Sequence, residues 1–355
     1  MNGGQMLSKD AIAAARGIGI LLVVLGHMRV SGIPPINPYG FHIPLFFFLS
    51  GMTLSAAPPL HALLTRDARA LLLYAIVLYG LFAAITVLLL QPWGFVITTT
   101  SPLDWRTYLL YPLTKNSHHV QLFLIAWFLV ALFFARLASV LVLKALERLP
   151  KAARVIVGVL LALVLARTGM RVLAAEFAQT QLWYWNLAAQ VAVGMAFCLL
   201  GYLAQQHGRL VLGGKALAVS LGLYLFLMAA QFGAFVMAWS QYPNGFLRSF
   251  AFGAIGTAMV VYAAHALETQ GWLKHVGRES RAIMAWHLTL FALFNLMLAA
   301  AGLLEPTQTG PFTLLNPSRW WPVYLVVSVL VPVAMRALWE RVRLRMASRP
   351  ALREA

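Results

Sequence analysis

Arg16 and His27 stand eleven residues apart inside the otherwise apolar stretch 11–30. Ionisable side chains in hydrocarbon are costly, so an intramembrane pair of this kind points to function. At about 100° per residue, eleven residues turn roughly 1100°, about 20° past three full turns, so both side chains share one helix face roughly 16 Å apart along the axis. A permanent cation near one end of such a face can hold an anionic group. A neutral imidazole near the other end can take a proton close to pH 7. The plain alternative is that Arg16 snorkels to headgroups and His27 hydrogen-bonds a neighbouring helix. That alternative explains neither the shared face nor an imidazole at the far end.

Further residues offer chemistry. Arg66-Asp67-Ala68-Arg69 aims two guanidiniums in one direction at i,i+3 spacing, a fork suited to phosphates, although basic residues beside a span also serve as simple topology anchors. The run Phe-His-Ile-Pro-Leu-Phe-Phe-Phe-Leu-Ser-Gly over residues 41–51 places Pro44 in a first helical turn and puts Ser50 beside Gly51, a small patch where another helix can approach. On this reading His42 sits at the membrane surface. His287 lies about one and a half turns into a later apolar run, where it could meet a donor or bond its own helix. His118 and His119 end an aromatic outer segment and could meet a sugar, or be ordinary loop residues. Arg167 and Arg171 share a face at i,i+4 spacing. No cluster of residues has metal-ligand spacing.

These residues need helices to carry them. Of the 355 residues 61% are hydrophobic and 10% charged, against about 45–50% and about 25% in soluble domains, which indicates an all-α polytopic transmembrane bundle. Apolar runs of about twenty residues fall near 11–30, 41–59, 70–91, 120–142, 155–174, 185–204, 216–239, 247–267, 282–303 and 320–338, about ten spans in all. The fifth is the weakest, because Arg167 interrupts it. Most Lys and Arg residues fall on alternate connections, among them Lys9, Arg66, Arg69, Lys144, Arg148, Lys151, Lys274, Arg278, Arg281 and the ending from Arg336, so both termini are expected in the cytoplasm. The formal charge of +17 is on this reading a topology signal, and no nucleic-acid partner is expected. The polar start lacks a cleavage site, so the first span is expected to be retained. Cys198 is the only cysteine, which rules out an intrachain disulfide. One transmembrane domain over residues 1–339 and a basic cytoplasmic tail over residues 340–355 follow, with no internal repeat.

The order Arg-x10-His in the first span, Phe-Phe-x-x-Ser-Gly in the second and Arg-x-x-Arg before the third resembles the acyltransferase-3 family of integral membrane O-acyltransferases. The matching residues are Arg16 and His27, the stretch 46–51, and Arg66 with Arg69. The 41–51 run looks most like the family's fucose-4-O-acetyltransferase-like branch, and Trp127-Phe128-Leu129 also fits the family's pattern. The resemblance implies a multi-pass protein of a bacterial cytoplasmic membrane. It implies transfer of an acyl group, usually acetyl, from cytoplasmic acyl-CoA to a hydroxyl of an extracytoplasmic glycan or lipid-linked saccharide. Acetyl-CoA would be a donor substrate and not a bound cofactor. Arg16 and His27 then become the catalytic pair, His27 as general base, and Arg66 and Arg69 become donor ligands. Direct transfer and an acyl-histidine relay both stay open. Family members often carry a further acidic residue. None is evident inside the spans, and Glu176, near Arg171, is the nearest candidate to orient His27. Two other readings compete: a membrane-bound O-acyltransferase of another family acting through His287, and a transporter or flippase for a lipid-linked glycan using Arg16, Arg136 and Arg167.

Overall fold

The computed structural model describes residues 7–28, 37–55, 57–90, 92, 121–207, 214–232, 235–305, 314–315 and 317–347. The predicted His118 and His119 lie outside these residues. Eleven helices carry the described chain: α1 (Lys9–His27), α2 (His42–Met52), α3 (Leu60–Leu90), α4 (Ala126–Leu146), α5 (Lys151–Thr180), α6 (Trp183–His207), α7 (Gly214–Ala229), α8 (Gly245–Ala266), α9 (Gly271–Arg278), α10 (Ser280–Ala300) and α11 (Pro317–Ala347). Among the described residues the sole β-type pairing is one bridge, Val236 to Gln241.

Eight of these helices are long and apolar enough to cross a membrane, namely α1, α3, α4, α5, α6, α8, α10 and α11. Two expected spans are shorter than their apolar runs. α2 has 11 residues and α7 has 16, which is about 16 Å and about 24 Å against a hydrocarbon core of about 30 Å. The α7 run stops because the chain turns: Gln231 and Ser240 adopt left-handed φ values of 55° and 48°, and residues 236–241 fold back on the bridge. The fifth apolar run, the weakest because Arg167 interrupts it, forms one long helix. α5 continues through a wider i→i+5 turn over Thr168–Leu173, and Arg167 stays exposed on its surface. α11 runs on through residues 340–347 to Ala347.

Burial sorts the helices. Most of the apolar stretch of α6 is buried, with α10, α1 and α4 next, whereas α3, α5 and α11 are mostly exposed. Their outer faces carry Ile76, Leu88, Leu160, Val164 and Leu330, more than half exposed. Water would not tolerate so continuous an apolar belt, and a bilayer would.

Two close helix approaches set the frame of the interior. Cβ at Gly51 of α2 would lie 2.0 Å from the Cys198 carbonyl oxygen of α6, so only glycine lets these backbones meet. The Cys198 thiol donates to the Phe47 carbonyl across the same seam (3.2 Å). At Gly277 of α9 a Cβ would lie 1.8 Å from the Ala13 carbonyl oxygen, which seats α9 against the start of α1. That end of α1 is tied further. Ser8 caps it through Ala11 N–H, and Lys274 pairs with Asp10 (2.8 Å). Gln205 at the end of α6 exchanges two hydrogen bonds with the Leu7 backbone. This end of the bundle, rich in Lys and Arg, is the basic end, and α1 carries Arg16 near it and His27 at the opposite one.

Candidate active site

Arg16 lines a cavity of about 370 Å³ at the basic end. Four more arginines share it: Arg136 from α4, Arg278 from α9, Arg281 from α10 and Arg336 from α11, with Asp67 and Glu279 as the acidic residues of the lining. Arg16 is half-buried, and among the described residues no carboxylate or hydrogen-bond acceptor engages it. Such a group calls for an anion.

Arg136 is held firmly. Its Nε–H donates to Asp67 Oδ2 (2.7 Å) and its Nη1–H to Ser50 Oγ (2.6 Å), while Asp67 Oδ1 accepts from Arg66 Nε (2.9 Å). Asp67 and Ser50 are buried. A buried carboxylate is therefore present on α3, and it pairs with Arg136. The wider helical turn of α3 over Ala68–Leu73 begins at the next residue. Ser50 thus orients Arg136.

Arg66 and Arg69 do not form the lining of this cavity. They border a more open neighbouring space of about 730 Å³ with Thr65, Tyr74 and Arg281. Arg281 joins the two spaces. Its guanidinium lies over the Tyr74 ring at 4.7 Å and donates to the Ala70 carbonyl (3.1 Å).

His27 opens into a second cavity, of about 460 Å³, with Asn37, Tyr39, His42, Trp127, Trp239 and Gln241 in its lining. Its Nδ1 lies 2.8 Å from the Val23 carbonyl oxygen. A carbonyl can only accept, so Nδ1 carries the hydrogen and Nε2 carries the lone pair of the neutral ring. His42 is set the same way, Nδ1 to the Pro38 carbonyl (2.5 Å), and is a buried residue of this lining. Tyr39 packs between the two imidazoles, with ring centroids at 6.0 Å from His27 and 5.4 Å from His42. The 37–42 segment is anchored by Tyr224 of α7, whose hydroxyl donates to the Asn37 carbonyl (2.6 Å).

Phe46, Phe128 and Met284 line both cavities and so form the wall between them. The shared face of α1 thus presents Arg16 on one side of a thin apolar wall and His27 on the other. The second cavity is bounded outward by the 236–241 turn, fixed by Asn186 and Gln190 of α6 donating to the Ala238 carbonyl (3.0 and 2.7 Å) and by Ser240 donating to Asn186 (2.6 Å). Beyond Val236, Trp239 and Gln241 the same turn borders a further space of about 510 Å³.

His287 of α10 is fully buried and lines neither cavity. Its ring lies against His27, centroids 5.0 Å apart. It therefore sits behind the imidazole and not at the basic cavity. Glu176, the candidate to orient His27, lies on α5, a mostly exposed helix, and is absent from both linings.

Sequence reasoning gave no role to Asp67, Tyr39 or Trp239, and Arg278, Arg281 and Arg336 counted only as loop charges. One signal was within reach: Arg136, deep in an apolar run, requires a carboxylate, and Asp67 is the acid nearest a span. A family model described as an acyltransferase domain matches residues 9–337. No curated protein and no solved structure matches.

Proposed function

The chain belongs to the acyltransferase-3 family, and on that premise we propose that it moves an acetyl group from acetyl-CoA in the basic cavity to a carbohydrate hydroxyl in the opposite cavity, with His27 as general base. The observation that carries this reading is the division of one helix face by the Phe46–Phe128–Met284 wall.

Coenzyme A presents several phosphate charges, and the five arginines of the basic cavity outnumber its two carboxylates. Guanidiniums bind phosphate oxygens as planar forks. Arg16 supplies the cation nearest the wall, Arg136 is pre-set by Asp67 and Ser50, and Arg66 and Arg69 flank the entrance. The opposite cavity suits a sugar in its chemistry. Tyr39, Trp127 and Trp239 offer aromatic faces, and Asn37 and Gln241 offer amide donors and acceptors. An extracytoplasmic glycan or a lipid-linked saccharide of a bacterial inner membrane would enter from that end.

In the transfer, the acceptor O–H gives its proton to His27 Nε2 as the oxygen attacks the thioester carbonyl. The C–S bond breaks, and the thiolate leaves toward the basic cavity. The Val23 carbonyl, holding Nδ1–H, keeps the lone pair on the correct nitrogen. An acyl-imidazole intermediate on the same nitrogen would use the same geometry.

The test uses membranes from cells that make the protein, supplied with radiolabelled acetyl-CoA. Base-labile label should appear in the endogenous glycan and should require the gene. His27→Ala and His27→Gln should each lower the rate by about 10²–10⁴-fold, since neither side chain takes a proton at neutral pH. A transporter or flippase would move no acetyl group. Near-native labelling by His27→Gln would remove His27 from the chemistry.

A further inference from the structure

The transfer reading occupies the His27 cavity and the basic cavity and leaves the space of about 510 Å³ beyond the 236–241 turn without a role. That volume alone lies within the roughly 300–1,000 Å³ of a small-ligand site. Two segments build it. α5 contributes Ala174, Phe177 and Ala178, then ends at Gln181, whose φ of 56° is left-handed and whose backbone N–H donates to the Phe177 carbonyl (2.8 Å). Ala174 and Ala178 stand about one helical turn apart and leave room that longer side chains would occupy. The facing side comes from the chain between Val236 and Pro243.

The lining mixes two chemistries. Phe177, Trp239 and Tyr242 bring aromatic rings, while Gln181, Ser240 and Gln241 bring polar side chains. The C–H faces of a pyranose suit the rings, and its hydroxyls suit the amides. A lipid tail would need the rings alone. The space shares Val236, Trp239 and Gln241 with the His27 cavity. This border is unlike the Phe46–Phe128–Met284 wall. Phe128 and Met284 are buried, whereas Trp239 is 39% exposed and Gln241 is exposed too, so a ligand can lie across them. The border is also fixed. Val236 and Gln241 exchange two backbone hydrogen bonds (3.0 and 3.1 Å), and the buried Asn186 and Gln190 of α6 hold the Ala238 carbonyl between them. A ring carried on so fixed a turn has little freedom left to lose when a ligand stacks on it. Anchoring at the membrane interface would account for Trp239. It accounts for neither the cavity beside the ring nor the polar side chains around it.

We propose that this outer space is a second subsite of the acceptor, which is therefore an oligosaccharide of at least two units. The unit that receives the acetyl group lies in the His27 cavity, its neighbour lies in the outer space, and the linkage between them crosses Trp239 and Gln241. This rests on the transfer reading. Binding energy from the second unit, remote from the reacting hydroxyl, holds the first in place for attack.

The experiment uses the purified full-length protein in detergent with radiolabelled acetyl-CoA. The acceptors are mono- and disaccharides, cut by mild acid from the de-O-acetylated surface glycan of the producing cells. The disaccharide should exceed the monosaccharide in kcat/KM by about tenfold or more. Ala178→Trp sets an indole in the outer space and lies outside the His27 cavity, so it should bring that ratio down to about twofold or less. Tyr242→Leu, also in the outer lining alone, should lower the ratio in the same direction and serves if the Trp variant does not fold. A ratio near one for the parent, or one that the variants leave unchanged, would overturn the inference, and the space would then hold only lipid or solvent. Organic extraction of labelled membranes separates lipid-linked from free acceptors. Label on chains of two or more units in either pool meets the proposal and identifies the source, whereas label confined to single-sugar acceptors overturns it. A parent that acetylates no carbohydrate at all would instead overturn the transfer reading beneath it.

Discussion

Arg66 gives its Nε–H to Asp67 and keeps a side chain 60% exposed, whereas Arg16 is half-buried in the basic cavity and bound to no protein acceptor among the described residues. If the donor's phosphates occupy that cavity, the two arginines contribute unequally. Hydrogen bonds to charged groups contribute about 1.5–3 kcal/mol, so Arg16→Ala should raise the apparent KM for acetyl-CoA by roughly 10–100-fold. Arg69→Ala, on the more open and better hydrated entrance, should raise it only about threefold or less. Arg16→Lys should restore part of the loss, because an ammonium supplies charge without the planar fork. Equal KM effects at both positions would show that the entrance, and not the cavity, holds the phosphates. At this scale the sequence was most informative where period alone decides geometry: the eleven-residue spacing put Arg16 and His27 on one face before any neighbour was known. It was least informative where partners come from distant segments. Arg136 and Asp67 are 69 positions apart, and His287 is 260 positions from His27, so no local pattern joins them.

The elements that carry these residues depend on a few contacts between backbones. Gly51 is the clearest, since any Cβ there would overlap the Cys198 carbonyl at 2.0 Å and push α2 off α6. The displacement would carry Ser50 away from Arg136 and Phe46 out of the wall. Gly51→Ala should therefore lower stability by about 1–3 kcal/mol, the usual cost of overpacking, and reduce turnover beyond the loss of folded protein. Gly80→Ala is the matched control. It meets nothing within 4 Å on the surface of α3 and should be neutral or stabilising by up to about 1 kcal/mol. Thermal unfolding in detergent reads both, and similar melting temperatures for the two variants would mean that the α2–α6 seam can relax. Apolar length was a good guide to the long helices, because twenty apolar residues have few other places to go. It overreached at residues 53–59 and 230–239. There apolar residues continue in the sequence past the helix end, and Gln231, in the left-handed region, is not of a type that announces a turn.

Taken whole, the molecule has two unlike ends joined by an apolar belt, and the transfer reading assigns each end a side of the membrane. Arg148, just beyond α4, and Arg278 at the end of α9 belong to the basic end. There Tyr202 bonds Glu147, and Asp10 gathers Lys274 and Arg278. Tyr184, in the first turn of α6, lies two residues before Asn186, which helps hold the 236–241 turn over the His27 cavity. On the transfer reading the basic end is the cytoplasmic one, the side that the positive-inside rule expects and where acetyl-CoA would be available as donor. Cysteine labelling decides it cleanly, because the native Cys198 is fully buried. On intact cells an impermeant maleimide should label Tyr184→Cys and spare Arg148→Cys and Arg278→Cys, and permeabilised cells should label all three. The reverse pattern would turn the five-arginine cavity away from the donor pool and bring His27 to the cytoplasmic side. Transfer across the Phe46–Phe128–Met284 wall would then have no donor to draw on, and the arginines would have to be read as ligands for an extracytoplasmic anion instead.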